Sequence, residues 1–195
     1  KLVWWLAPFF AVVPPVMAFA TIPFTKGLVP KDLNIGILYI LAISSVCVIG
    51  IFMAGWGSNN KYSLLGGMRS VAQIVSYEVP LILSVIAVAM RSNSFSMQGI
   101  VEAQNSCWNI LHPDMMLAFG IYTIAATAEI NRAPFDIPEA ESELVAGFHT
   151  EYSGMKFAMF FLGEYTNLFI IAAISTILFF GGWHGPFLPP VVWFL

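Results

Sequence analysis

A chain of 195 residues that is 58% hydrophobic and 10% charged, with a mean hydropathy of +0.81, lies far outside soluble usage, where about 25% of residues are charged. It reads as an all-α, polytopic integral membrane protein, and residues 1–195 fit a single membrane domain. The formal net charge of −3 is too small to point to nucleic acid. Cys47 and Cys107 stand apart, and His112, His149 and His184 lack helical metal-site spacing, so the sequence assigns no metal here and any redox centre to another chain.

The chain opens on Lys1 and stops inside the apolar run Val191-Val-Trp-Phe-Leu195, and it reads as an internal piece of a longer protein. Apolar stretches long enough to cross a bilayer as helices cover about 3–24, 35–55, 74–90, 115–130 and 156–180, with a sixth starting near Leu188. Pro8, Pro14 and Pro15 are expected to kink the first. Trp4, Trp5, Trp56, Trp108 and Trp183 fall near span ends and read as interface anchors. Between the second and third spans, Ser58-Asn-Asn-Lys-Tyr-Ser63 reads as a loop with Ser63 as helix cap, and Arg69 as a snorkelling cation.

Alternating the spans puts Lys1, Lys61, Arg69, Arg132 and Lys156 on one side and Lys26, Lys31 and Arg91 on the other. The excess of positive residues orients the 56–73 and 131–155 loops to the cytoplasm. The second of these belongs to a stretch that places Glu129, Asp136, Glu139, Glu141 and Glu143 within sixteen positions. Asp136 has the chemistry of a helix N-cap, Glu139 sits at N3, Pro138 is tolerated in the first turn and Gly147 is a stop. At about 100° per residue, Ile137, Ala140, Leu144, Val145 and Phe148 share one face of this short amphipathic helix. Glu143 lies opposite, on a face that reads as solvated, whereas Glu141 falls inside the apolar arc. There it needs a partner or a wet cavity. Arg132 has Glu129 and Asp136 within local reach.

Three carboxylates lie in or at the ends of spans. Glu78 is a few residues inside the third, Glu129 ends the fourth, and Glu164 sits about 12 Å beyond Lys156 along the fifth. Charges at such depth are costly, so they face cavities or partners and mark ion or proton paths. Glu78 and Glu164 lack a basic residue four positions away, so their partners must come from other elements.

The run Glu129-Ile-Asn-Arg-Ala-Pro-Phe-Asp-Ile-Pro-Glu-Ala-Glu-Ser-Glu-Leu-Val-Ala-Gly147, with Thr150-Glu-Tyr-Ser-Gly-Met-Lys-Phe157, Gly163-Glu-Tyr165, Ala54-Gly-Trp-Gly-Ser-Asn-Asn-Lys-Tyr-Ser-Leu-Leu-Gly66, Met68-Arg69 and Ser76-Tyr-Glu78, resembles the H-subunit family of bacterial NADH-quinone oxidoreductase, respiratory complex I. The likeness runs along essentially the whole chain. It implies a heel-like membrane subunit of eight helices, of which this piece would hold the second to the sixth and the start of the seventh. Such a subunit abuts the hydrophilic arm and forms much of the chamber through which the substrate quinone enters.

By this resemblance Glu129, Glu139, Glu141 and Glu143, together with Glu78, Glu151 and Glu164, carry proton relay and coupling. Arg132, Phe135 and Asp136 form quinone chamber wall. Iron-sulfur clusters, FMN and NADH belong to partner subunits; the partners implied are the quinone-site and terminal-cluster subunits of the hydrophilic arm and the adjacent small membrane subunits, in a bacterial inner membrane. Two other readings stay open from the residues: the anchor of a hydrogenase-like relative of complex I, and a self-contained ion transporter with an acidic site.

Overall fold

The computed structural model describes residues 1–25, 32–136 and 147–185, and every regular element among them is a helix. Five long helices, α1 (Leu2–Phe19), α2 (Gly36–Gly57), α3 (Lys61–Ser92), α5 (Pro113–Glu129) and α6 (Met155–Phe179), carry the fold. A short α4 (Met97–Ala103) and single 3-10 turns at Asn109–Leu111 and Gly147–His149 complete it. Helices α1, α2, α3 and α6 are long and apolar enough to cross a membrane. The expected fourth span corresponds to α5, whose 17 residues lie at the short limit for crossing. The short helix expected between Asp136 and Gly147, with Glu139, Glu141 and Glu143, lies outside the described residues, as does the run from Leu188.

Helix α1 runs unbroken through all three prolines, which lie on its buried side with Ala7, Ala11 and Ala18. Two glycines bring neighbouring backbones against this face. A Cβ at Gly50 of α2 would stand 2.8 Å from the Phe10 carbonyl carbon, and one at Gly163 of α6 would stand 2.6 Å from the Ala11 oxygen. Close backbone approach of this kind is how helices associate where the surrounding medium supplies little hydrophobic drive.

The expected 56–73 loop is mostly helix. Helix α3 begins at Lys61 and continues for 32 residues, about 48 Å, against a hydrocarbon core of about 30 Å. Its cap is Asn60, whose side chain accepts from the Tyr62 amide at 3.0 Å, and not Ser63, which is buried and donates to the Phe148 carbonyl at 2.9 Å. Gly66 and Gly67 argue for a loop by propensity, yet they are contact points: a Cβ at Gly66 would fall 2.7 Å from Gly147 Cα, and one at Gly67 would fall 3.3 Å from Gly55 Cα.

These contacts gather the start of α1, the end of α2 and the starts of α3 and α6 at one end of the bundle. Tyr152 donates its hydroxyl to the Trp4 carbonyl at 3.3 Å, and Lys156 Nζ stands 3.2 Å from the ring centroids of both Trp4 and Trp5. At the opposite end Arg91 pairs with Asp114 at 3.1 Å. There the chain folds back after α6. Gly181 and Gly182 take φ of +73° and +57°, a left-handed turn that glycine adopts freely, and press against Trp108 and Val101. Trp183 is thereby carried into the core at 5% exposure instead of anchoring an interface. Much of the main core is drawn from Ile37, Val85, Val88, Ile100, Tyr122 and Ile177. Phe9, Leu83, Leu117 and Phe169 point outward, as a hydrocarbon solvent requires.

Candidate functional site

Helix α5 ends in a reversal that aims its flanking side chains. Asn131 takes a φ of +51°, a left-handed conformation that Asn tolerates better than most residues. Gln73, projecting from the middle of α3, holds the turn. Its amide nitrogen lies 2.8 Å from the Ala128 carbonyl, 3.1 Å from Asn131 Oδ1 and 2.8 Å from the Phe135 carbonyl. Asn131 also donates to Ser70 Oγ at 3.3 Å, and the Phe135 ring packs edge-on against Tyr77 at 5.2 Å.

The reversal sends Arg132 toward α6. Its Nη2 pairs with Glu164 Oε1 at 2.9 Å, and its guanidinium carbon lies 5.1 Å from the Tyr165 ring centroid. The cation therefore bridges to another helix. Glu164 so obtains the partner from elsewhere that its position demanded. The pair is partly open, with side-chain exposures of 41% for Arg132 and 26% for Glu164.

Glu129 and Glu164 line one cavity of about 80 Å³. Cys47 from α2, Asn131, His149 and Asn167 share the wall, and Ala11, Pro15, Phe160 and Phe161 supply apolar surface. A smaller cavity of about 20 Å³ lies beside Tyr122, Ile170 and Ile174, and Glu129 and Asn167 border both. Glu78 accepts a hydrogen bond from Ser45 Oγ of α2, and its charge bears on that of Glu129. The charge of Asp136 bears on Glu164. The acids thus form a row, with Asp136 and Arg132 at Glu164, Glu164 and Glu129 around the cavity, and Glu78 beyond.

Glu151 is not in this row. It is exposed, accepts from Asn60 Nδ2 at 2.7 Å, and lines neither cavity. Glu139, Glu141 and Glu143 lie outside the described residues. Outside the spans, burial pushes the His149 imidazole below its ordinary value, while burial raises the Tyr152 hydroxyl to about 12. Sequence reasoning missed Ser45, Gln73, Asn131, His149 and Asn167. An Asn just after an apolar helix and three residues before Pro134 is a turn signal that was available; nothing in the sequence singles out the others.

Among the described residues no three His, Cys, Asp or Glu side chains gather as metal ligands. The arrangement instead suits proton exchange, with carboxyls, an imidazole and amides around a small space and a cation set against one carboxyl.

Helices of membrane-spanning length, packed around a cavity that two carboxylates line, define a polytopic membrane protein. The NADH dehydrogenase family model matches residues 1–195, and the chain belongs to that family. It is 60% identical over 195 residues to the H subunit of NADH-quinone oxidoreductase from Dehalococcoides mccartyi (strain CBDB1), with all of this chain and 54% of the relative covered. It is 54% identical over 195 residues to the H subunit from Carboxydothermus hydrogenoformans, with 97% and 55% covered, and 50% identical over 200 residues to that from Brevibacillus brevis, with 100% and 59% covered. The chain spans about half the length of the curated relatives it matches.

Proposed function

We propose that this chain is part of a membrane subunit of a proton-translocating NADH-quinone oxidoreductase, contributing to one eight-helix membrane domain in a bacterial inner membrane. The 131–155 segment and the start of α3 face the cytoplasm. Arg132, Phe135 and Asp136 form wall of the quinone chamber, and partner subunits supply NADH binding, FMN and the iron-sulfur clusters. The carboxylates Glu129, Glu164 and Glu78, with Glu139, Glu141, Glu143 and Glu151, couple quinone reduction to proton movement. The observation that carries this reading is the shared cavity of Glu129 and Glu164, with Arg132 bound to Glu164 at 2.9 Å.

Reduction of a quinone to the quinol takes up two electrons and two protons, and while the electrons are ahead of the protons, or once chamber acids have given protons up, the chamber carries extra negative charge. A cation held between an open chamber and an internal acid responds to that change. Negative charge in the chamber draws Arg132 outward, Glu164 compensates by taking a proton, and Glu129 and Glu78 pass the shift inward. Cation and acids act as one coupled set.

The test is Glu164→Gln and Glu129→Gln in the assembled complex in native membranes. Electron transfer from NADH to an artificial acceptor that bypasses quinone stays normal. NADH-to-quinone turnover and proton pumping fall about 100-fold or more, the scale of losing a positioned acid or base. Normal turnover and pumping in both variants would refute the relay.

A further inference from the structure

The 3-10 turn that ends at His149 has little freedom. Gly147 begins it with a φ of +59° and lies against Gly66, where a Cβ would come within 2.7 Å, and the Phe148 carbonyl is held by Ser63 at 2.9 Å. His149 follows with 7% exposure. Its ring is surrounded by Phe148, Phe157 and Phe161, at centroid separations of 4.8, 5.4 and 6.0 Å. None of these rings offers a hydrogen-bonding atom. Among the described residues Nδ1 is buried without a hydrogen-bond partner, which a folded chain rarely tolerates unless water or an ion completes the bond.

His149 lines the cavity that Glu129 and Glu164 share. A volume of about 80 Å³ has room for about two waters at roughly 30 Å³ each, and buried waters settle where several polar atoms face a common space. Glu129, Glu164, Asn131 and Asn167 are such atoms' owners on the same wall.

We propose that water in this cavity links His149 Nδ1 to the Glu129 and Glu164 carboxyls, which makes His149 a positioning residue of the proton path. The inference rests on the relay reading above. A neutral imidazole both donates and accepts a hydrogen bond, so it can orient a water chain whichever carboxyl holds the proton. Burial, which holds the imidazole below its ordinary value, keeps it in that neutral form. Among the described residues, the titratable groups facing the cavity with it are Glu129 from α5, Glu164 from α6 and Cys47 from α2; α1 contributes Ala11 and Pro15, and α3 meets the turn through Ser63 and Gly66.

The experiment compares His149→Leu, which keeps the bulk and removes the polar atoms, with His149→Asn, which restores an amide, in the assembled complex. His149→Leu lowers kcat for NADH-to-quinone turnover about fivefold to tenfold, below the ~100-fold minimum typical of a direct acid or base. KM for quinone stays unchanged, and His149→Asn recovers most of kcat. Wild-type kcat in His149→Leu, or an equal loss in both variants, overturns the role. A high-resolution map of the wild-type complex decides independently of either variant: a water on Nδ1 that continues to a carboxyl supports it, and a dry cavity or a protein group on Nδ1 overturns it. If Glu164→Gln and Glu129→Gln impair turnover while His149→Leu does not, this inference fails and the relay reading stands. If all three are neutral, the relay reading has failed.

Discussion

The two ends of the bundle bury polar side chains in opposite ways. At the end where α6 finishes, Gln104 donates to the Ile177 carbonyl at 2.8 Å, and its oxygen accepts from the Asn109 and Gly181 amides, each at 3.2 Å. Asn109 donates to the Leu178 carbonyl at 2.8 Å. Although Trp183 Nε1 is buried there without a hydrogen-bond partner among the described residues, the neutral amides of Gln104 and Asn109 have their bonds made in a packed core and behave as a lock. At the end where α6 starts, the polar groups are carboxyls and an imidazole around open space, and Gln73 Oε1 and His149 Nδ1 are buried without a hydrogen-bond partner among the described residues. The difference teaches where rearrangement is cheap.

Substituting Gln104→Leu should break this contrast with the largest effect. It strips partners from the Asn109 and Gly181 amides and from the Ile100 and Ile177 carbonyls at once, and a loss of about 2–4 kcal/mol is expected. The thermal midpoint and yield of assembled complex should fall, while turnover per assembled complex stays unchanged. A turnover defect at normal stability would show that the lock also serves the chemistry.

Arg132→Lys sharpens the other side. It keeps the charge but loses the planar guanidinium that sits over Tyr165 while binding Glu164, a substitution that is not conservative at a stacked site. Turnover should drop about threefold, near 0.7 kcal/mol, with stability little altered because the pair is partly exposed. Identical kinetics across quinone concentrations would mean that charge alone suffices.

Much of the acidic end was legible because a carboxylate in an apolar run is expensive: Glu78, Glu129 and Glu164 announce themselves by cost. What stayed hidden was pairing across elements. Arg132 has acids nearby in sequence, yet the reversal at Asn131 delivers it to Glu164 on α6, and only the docked turn decides that. The start of α3 stayed hidden for a similar reason, since Ser63 resembles a cap until the Phe148 carbonyl arrives to take its hydroxyl. The amide lock left no trace in the sequence, because Gln104 and Asn109 look like ordinary loop residues until backbone from α6 reaches them.

The smallest expected effect is on stability against pH. Folded His149 lies below its ordinary 6.5, so the native imidazole stays neutral while the unfolded chain takes up a proton. This contribution is fully present above pH 6.5 and is lost as pH falls below it. Between about pH 7 and 5.5 the thermal midpoint of the purified complex should decline, and His149→Asn should flatten part of that decline. An identical slope in both would place the sensitivity elsewhere.

Helix α3 carries Ser63 under the His149 turn, Gln73 under the Asn131 reversal and Glu78 against Ser45. Over the fifteen residues from Ser63 to Glu78, about 22 Å, it is one stiff lever ahead of Pro80. A swing of about 5° pivoting at Glu78 would carry Ser63 sideways by about 2 Å, more than the slack in a hydrogen bond. The turn, the reversal and the half-buried acid share a single mechanical member, so displacement at its outer tip is felt by all three.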